Sequence, residues 1–501
     1  LEEVIKMAKK EKKENKKKKK INTISKIFAV VLLICVIVTL GMILFLNVLP
    51  MKKLLLVITI SLLITYILCL FLFKKNIKIG IKIPSIVISG ILSIFCIIIC
   101  YYIGVTFNFM GKVNSFNKTY AEYYVVVKND SAYAKIEDLK DKSIGVYNEE
   151  TKTYNDALDK LNSAVQIKTS NKISIDDLKS NLLNDGVDAI LLSNTAKDQI
   201  EADDDKFESE IKIVYTIKVE VESIAVEANK VDVTKDVFTV YISGIDTYGE
   251  IALTSRSDVN MLVTVNPNTN QVLLTSIPRD YYVQLHGTTG YKDKLTHAGI
   301  YGVNMSIETI KDFMGIDINY YIKVNFDSLI KVVDEIGGID VYSDTTFVPW
   351  TNQSITIHKG MVHMNGAMAL AFARERHAYE EGDRHRVQNQ QDVLTAIINK
   401  ITSTPSLMTK YSSLLNSISS SIDTNIDMNS ITDLIRVQLD KNPSWTIKKY
   451  SLNGSDSSGY TYSMGAQLLY VMQPDQSTVT TGASYINGMV AGKTFDELGL
   501  K

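Results

Sequence analysis

The sequence predicts a membrane-anchored α/β protein, with three apolar helical spans ahead of a large body that mixes strands and helices. Three observations predict it. Residues 27–51, 54–73 and 83–111 are uncharged runs of 25, 20 and 29 residues, and about 20 apolar residues cross a ~30 Å hydrocarbon layer as helix. The net charge of −1 divides sharply: residues 1–20 carry ten Lys against four acids, and residues 21–107 carry seven Lys and no acid. The remainder is therefore strongly acidic. Beyond residue 112, short β-branched runs alternate with amphipathic stretches, the pattern of a sheet covered by helices.

A cleaved signal peptide does not account for the first run, which is too long, lacks a small-residue cleavage pattern and is followed by two more spans. Lysines set the expected orientation. The head at 9–20 and the loop bearing Lys74, Lys75, Lys78 and Lys82 are the basic sides, while the turn at 51–53 holds only Lys52 and Lys53. The positive-inside rule then places the amino end in the cytoplasm and everything after Gly111 outside. Cys35, Cys69, Cys96 and Cys100 all lie within the spans. The exported body thus has no thiol nucleophile and no disulfide, and depends on its core.

Within that body, residues 112–235 read as a small α/β unit. Strands are expected near 123–127, 143–146 and 189–192, with helices at 153–161 and 175–183. The phrases IEDLKDKSIGV (136–146) and GVDAILL (186–192) resemble half of an extracellular solute-binding domain. The acidic stretch 201–210 reads as a solvated loop. From residue 236 onward, apolar runs at 237–245, 259–266 and 271–277 have strand length, and NPNTN (266–270) between the last two predicts a hairpin. Helical periodicity follows at 306–314, 326–336, 366–373 and 387–401.

Arginine usage singles out a site. Of 54 basic residues only seven are Arg, and six of these fall between 256 and 386: Arg256, Arg279, Arg374, Arg376, Arg384 and Arg386. The seventh, Arg436, lies in a later helical pattern. Guanidinium stays charged, is weakly hydrated and grips phosphate or carboxylate through a planar fork, which ammonium cannot do. Pairing with local acids is the plainer explanation and suits Arg384 and Arg436 best. Arg374 and Arg376 share one side of an extended segment with Glu375 turned away, and Arg386 and Gln390 share a helix face. Asp246 ends the first strand and Asp258 opens the second, so neighbouring strands would put both carboxylates at one mouth. Carboxylates beside a cationic cluster suit Mg²⁺ or Mn²⁺ held between them and phosphate oxygens.

The ordered succession GIDTYG, SRSD, SIPRDYYV, DKLTHAGIYG, VVDEIGGIDV, MNGAMALAFARERH and GDRHRVQNQQ resembles the catalytic domain of the LytR-CpsA-Psr family. The three spans and extra outer unit are similar to its capsule-type members. The resemblance implies an α/β/α layered domain with a central mixed sheet and an apolar groove for a polyprenyl chain. It divides the chain into a cytoplasmic head (1–26), three transmembrane helices (27–111), an extracellular accessory domain (112–235) and a catalytic domain with a C-terminal extension (236–501). It further implies a Mg-dependent phosphotransferase at the Gram-positive cell surface. This enzyme would move a capsular polysaccharide or related glycopolymer from polyprenyl diphosphate to peptidoglycan, at the 6-hydroxyl of N-acetylmuramic acid, with pyrophosphatase activity as an accompaniment.

By the same resemblance Asp246 and Asp258 match metal-binding acids, with Arg256 beside them. Arg279, Arg374, Arg376, Arg386 and Gln390 match groups around the diphosphate, and Lys311 a further headgroup contact. Arg256, Asp258, Arg374, Arg376 and Arg386 form the catalytic set, with Asp258 and Asp383 the candidates for the base. Tyr248 stands where many members carry Arg. R-x-x-x-Q spacing selects Arg386 over Arg384.

Other readings carry less. A non-catalytic membrane regulator or sensor of lipid-linked intermediates would use the same arginines, and other capsule-assembly membrane proteins are among the partners the resemblance implies. No helix-turn-helix is evident, and no nucleic-acid partner is expected. GMVAGKT (488–494) is one residue short of a phosphate-binding loop. The six His lack a zinc pattern; His358 and His363 read as surface residues, and His297 as a groove-lining or buried structural residue.

Overall fold

The computed structural model describes residues 2–46, 51–113, 119–147, 152–172, 174–204, 206–221, 226–247, 251, 253–404, 421–465 and 467–500. The chain divides into two compact units. One holds residues 1–111 with 427–443; the other holds the described parts of 112–407, 417–426 and 444–501.

In the first unit, helices Glu2–Leu46, Met51–Phe73 and Ile79–Val113 each contain a stretch long and apolar enough to cross a membrane: Ile5–Phe45, Met51–Phe73 and Ile79–Val105. The basic head is no separate segment but continues the first helix. Ala29, Leu32, Leu68 and Leu72 pack between the first two helices, while side chains such as Ile91 and Phe95 face outward, as a hydrocarbon surround requires. Lys82, expected in a basic loop, lies in the third helix and is buried; its ammonium donates to Lys74 O at 2.8 Å and to Asn22 Oδ1, tying together the chain ends on that side. Arg436 pairs with Asp433 at 3.0 Å on helix Met428–Lys441.

The second unit contains two large sheets. The first, of five strands, runs in the order Lys168–Lys172, Ser143–Tyr147, Ala189–Ser193, Thr119–Lys128 and Ile211–Val221. Helices Lys152–Ala164 and Ile175–Leu183 accompany it, the latter capped by Ser174 Oγ accepting from the Asp177 amide. The expected acidic loop is instead helical, Asn194–Asp203 and Phe207–Glu210. Fully buried Phe207 draws it onto the core formed by Val126, Leu178 and Ile190. That core also takes in Met464 and Leu469 from far along the chain.

The second sheet has six strands in the order Ile422–Thr424, Tyr320–Val324, Phe238–Ile245, Ser257–Asn266, Gln271–Ile277 and Thr446–Ser451. Pairing is parallel between 320–324 and 240–244 and between 446–451 and 271–276, and antiparallel elsewhere, so the sheet is mixed. The expected hairpin is present, with Asn270 turning at φ +53°, a conformation Asn tolerates. One face carries Tyr241, Leu262 and Leu273 against helices Val303–Met314 and Gln476–Val490. The other faces helices Phe326–Glu335, Gly366–Arg374 and Asp383–Ser403. Gln391 fastens the last of these by donating to Tyr450 O at 2.9 Å. The α/β/α layering expected from the sequence is therefore the architecture.

Candidate functional site

Strand pairing brings the two aspartates together. Ile245 lies opposite Ser257 in the antiparallel register, so Asp246 leaves one strand where Asp258 enters the next. Burial and the neighbouring Asp258 push the Asp246 carboxyl up, against the opposing pull of Arg374, Arg256 and Arg279. Burial would raise Asp258 too, but Arg279, Arg256 and Arg386 outweigh it and hold this carboxyl far below the carboxylate range. Arg279 Nη1 donates to Asp258 Oδ2 at 2.8 Å, and Thr296 Oγ1 donates to Asp258 Oδ1 at 3.0 Å. Arg374, the last residue of its helix, sits 3.4 Å from Asp246 Oδ1 and stacks its guanidinium 4.1 Å from the Phe326 ring centroid.

Two cavities adjoin this charged wall. An apolar groove of about 160 Å³ is floored by Ile242, Gly244, Val259 and Met261. Its walls are Phe326, Leu329, Leu370, Val393, Leu394 and Ile397, and Asp246, Asp258, Arg374, Arg386 and Gln390 stand at its polar end. Gly244 is required there, because a Cβ would come within 2.7 Å of Val259 Cβ. The second is a polar cleft of about 210 Å³, lined by Arg256, Arg279, Asp280, Lys294, Thr296, His297, Arg376 and Tyr470, with Gln199 from the first sheet's helix. Gly299 lets the short helix Leu295–Ala298 dock against the loop that bears Arg256; a Cβ there would meet Ser255 O at 2.5 Å.

Most of the residues singled out from sequence converge here. Arg386 lines the groove with Gln390, as the R-x-x-x-Q spacing requires. Its Nη2 donates to Asp383 at 2.7 Å, while its buried Nε has no partner among the described residues. Burial lowers its proton affinity, with Arg279 and Arg376 adding to the fall and Asp383 and Asp258 opposing it. Arg384 points elsewhere, its Nη2 donating to Gly454 O at 3.2 Å. Lys311 stands apart as well. It lines neither cavity, and its ammonium meets Glu308 at 3.0 Å one helical turn away. Tyr248 lies outside the described residues.

Glu375, expected to point away from the two arginines, is buried and accepts the amides of Trp350, His377 and Ala378 at 2.7, 2.6 and 3.0 Å. It thereby fixes the turn between Arg374 and Arg376. Sequence reasoning did not single out Asp280, Lys294 or Thr296, although the density of polar residues in PRDYY and DKLTH was a usable signal. His297 lines the polar cleft rather than the groove. His363 is exposed and pairs with Asp340 at 2.8 Å, as a surface residue. GMVAGKT lies at the carboxyl end of helix Gln476–Val490, the wrong end to cradle phosphate.

The donor set suits a divalent cation. Asp246 and Asp258 are hard oxygen ligands whose mutual repulsion raises one of them, and a cation between them would relieve it. Among the described residues no third His, Cys, Asp or Glu joins the pair.

The LytR_cpsA_psr family matches residues 193–479, more than half of the chain. The chain belongs to the LytR-CpsA-Psr family. Among curated relatives, the polyisoprenyl-teichoic acid–peptidoglycan teichoic acid transferase TagU of Bacillus mycoides (strain KBAB4) is 36% identical over 219 residues, 44% of this chain and 69% of the relative. TagU of Bacillus subtilis (strain 168) is 32% identical over 250 residues, 49% of this chain and 76% of the relative. TagU of Bacillus anthracis (strain CDC 684 / NRRL 3495) is 37% identical over 197 residues, and there the chain spans 63% of the relative's length. Similar solved structures include TagT bound to LIIa-WTA (27% identity, TM-score 0.43, 54% of this chain and 94% of that one) and B. subtilis TagV (30%, 0.44, 52% and 99%). As a family member, the chain has its match beginning in the helix that supplies Gln199 and covering every aspartate and arginine of the charged wall.

Proposed function

We propose that the chain is a membrane-anchored phosphotransferase that moves an anionic glycopolymer from a polyprenyl diphosphate carrier onto peptidoglycan. The observation that carries this reading is the apolar groove ending on Asp246, Asp258, Arg374, Arg386 and Gln390. A groove of that lining accepts an isoprenoid tail, and its end offers the charges a diphosphate needs. The unpaired Nε of buried Arg386 is a donor for one of those oxygens. The activity for which the relatives are named favours teichoic acid or a similar polymer as cargo. The sequence resemblance adds capsular polysaccharide to the same class, the muramic 6-hydroxyl as acceptor, and diphosphate hydrolysis when water takes the acceptor's place. Lysine placement favours a cytoplasmic amino end and an outer catalytic unit.

Phosphoryl transfer depends on positioning and charge neutralisation. Asp246 and Asp258 would hold Mg²⁺ or Mn²⁺, which when bound supplies a Lewis acid for diphosphate oxygens. Arg279 fixes the Asp258 carboxylate and keeps it ionised. Arg374, stacked on Phe326, and Arg386 offset charge as it builds on the departing lipid phosphate. Groove side chains exclude water from that phosphate. The test is glycan transfer by the full chain in lipid vesicles, from a polyprenyl-diphosphate-linked donor to peptidoglycan. Arg374→Ala and Asp258→Ala, each checked for folding, should lower the rate by roughly 10²–10³. Wild-type rates from both would end this reading.

A further inference from the structure

The phosphotransferase reading leaves the base that deprotonates the acceptor hydroxyl unassigned. Asp258 is a poor choice, since Arg279 and its neighbours hold its proton affinity far below that of an ordinary carboxylate. Asp383 is occupied by Arg386 on its own helix and lines neither cavity.

We propose that His297 is the general base and that the polar cleft, whose Arg279 and Thr296 are bonded to Asp258 at the end of the apolar groove, is where the acceptor hydroxyl arrives. This rests on the phosphotransferase reading. In-line displacement puts the attacking and leaving oxygens on opposite sides of phosphorus. A lipid phosphate leaving along the groove therefore requires the nucleophile to enter from the other side of the wall. The cleft reaches the wall from outside the groove, with none of the groove's lining residues. It shares the wall through Arg279 and Thr296, both bonded to Asp258, and its lining is polar and cationic, suited to a hydrated sugar rather than a hydrocarbon.

His297 is prepared for the role. It is 1% exposed, on the short helix next to Thr296. Its Nδ1 lies 2.6 Å from Asp293 Oδ1 and 2.9 Å from Ser463 Oγ. Asp293 is fully buried and accepts the amides of Lys294 and Ser463, each at 2.8 Å. A carboxylate only accepts, so Nδ1 carries the hydrogen and donates it, which leaves Nε2 as the basic nitrogen of a residue that lines the cleft. A carboxylate that orients an imidazole in this way also stabilises the imidazolium formed when a proton is taken. In the step, the acceptor O–H proton passes to Nε2 as the new O–P bond forms. The P–O bond to the lipid phosphate breaks, and polyprenyl phosphate leaves with the electron pair.

Two variants of the full chain in vesicles test this, with a short-chain prenyl diphosphate disaccharide as donor and soluble uncross-linked peptidoglycan as acceptor. His297→Asn keeps a donor toward Asp293 but has nothing at the Nε2 position. Transfer should fall about 10²–10⁴-fold, with donor half-saturation within about twofold of wild type. His297→Ala should be similarly slow, and imidazole added to the assay should restore it by tenfold or more, a response that a structural role does not produce. Near-wild-type transfer by His297→Asn would overturn the assignment. So would an imidazole-insensitive His297→Ala that has also lost donor binding. If Arg374→Ala is slow while both His297 variants are fast, the base assignment alone fails; no transfer by the wild-type chain would overturn the phosphotransferase reading and the base with it.

Discussion

The apolar groove takes its floor from Ile242, Val259 and Met261, while the polar cleft across the wall is lined by Arg256, Lys294, His297 and Arg376. The two hold opposite kinds of matter. The groove removes hydrocarbon from water at about 25 cal/mol per Å², a gain that is indifferent to chemistry at the far end. The cleft offers hydrogen bonds and charge, which distinguish one polar ligand from another. The wall joins them: Asp246 and Asp258 line the groove, Arg279 lines the cleft, and Arg279 is bonded to Asp258. The contrast teaches that affinity for the carrier and choice of acceptor are separable in this molecule, whereas damage to the wall should impair both together.

The largest effect should therefore come from the wall. Arg279→Ala removes the partner of buried Asp258 and should lower transfer roughly 10²–10³-fold. Stability should fall by about 3–5 kcal/mol, because a buried charge is left unpaired. Rate assays and denaturant unfolding would read these, and a change in only one cavity's ligand would break the comparison. Chelation comes next. EDTA should abolish transfer, and added Mg²⁺ should restore it, if Asp246 and Asp258 hold a cation; an undiminished rate in EDTA refutes the cation. In the groove, Ile397→Asp places a carboxylate against the tail. It should raise half-saturation for a long-chain donor by some tens-fold and leave a short-chain donor nearly unaffected. Gln199→Ala, in the cleft, should shift half-saturation for the acceptor by about two- to fivefold without altering that for the donor.

The smallest effect concerns Lys323, buried beside the site, whose ammonium donates to Leu253 O at 2.7 Å, three residues before Arg256. Burial pushes its pKa down to about 8 from 10.5, with Asp423 across the strand pair opposing. Between those values the unfolded chain binds more of this proton than the folded chain does. The cost of the buried charge is thus complete below about pH 8 and is relieved as pH rises toward 10.5. Wild type should gain stability relative to Lys323→Met across that window, with a slope no steeper than about 1.4 kcal/mol per pH unit. A flat difference would mean that the buried ammonium keeps the proton affinity it has in the unfolded chain.

What could be read from sequence depended on locality. Strands 238–245, 257–266 and 271–277 are continuous apolar runs, and Asn266–Asn270 is dense in turn formers, so the hairpin and the meeting of Asp246 with Asp258 were legible. The convergence of Arg279, Arg374 and Arg386 was legible because the chain uses Lys wherever a plain cation suffices. Strand Lys168–Lys172, KTSNK, was not; it is a polar edge strand with no fully buried side chain to leave a pattern. Phe207 hid the helix Phe207–Glu210 among acids. Lys311 rested on the resemblance alone, and Glu308 one turn away pairs with its ammonium. Gln199 was beyond reach, since its place in the cleft depends on Met464 and Leu469 packing with Ile200 and Phe207, a contact across more than half of the second unit.

That last contact has a consequence for how such a protein diversifies. Part of the rim around the incoming sugar is contributed by a helix from outside the six-stranded sheet. Lengthening or replacing this helix would resize the entrance while every arginine stays where it is. A lineage could thus exchange the polymer it decorates by remodelling a neighbour, with its reactive centre inherited intact.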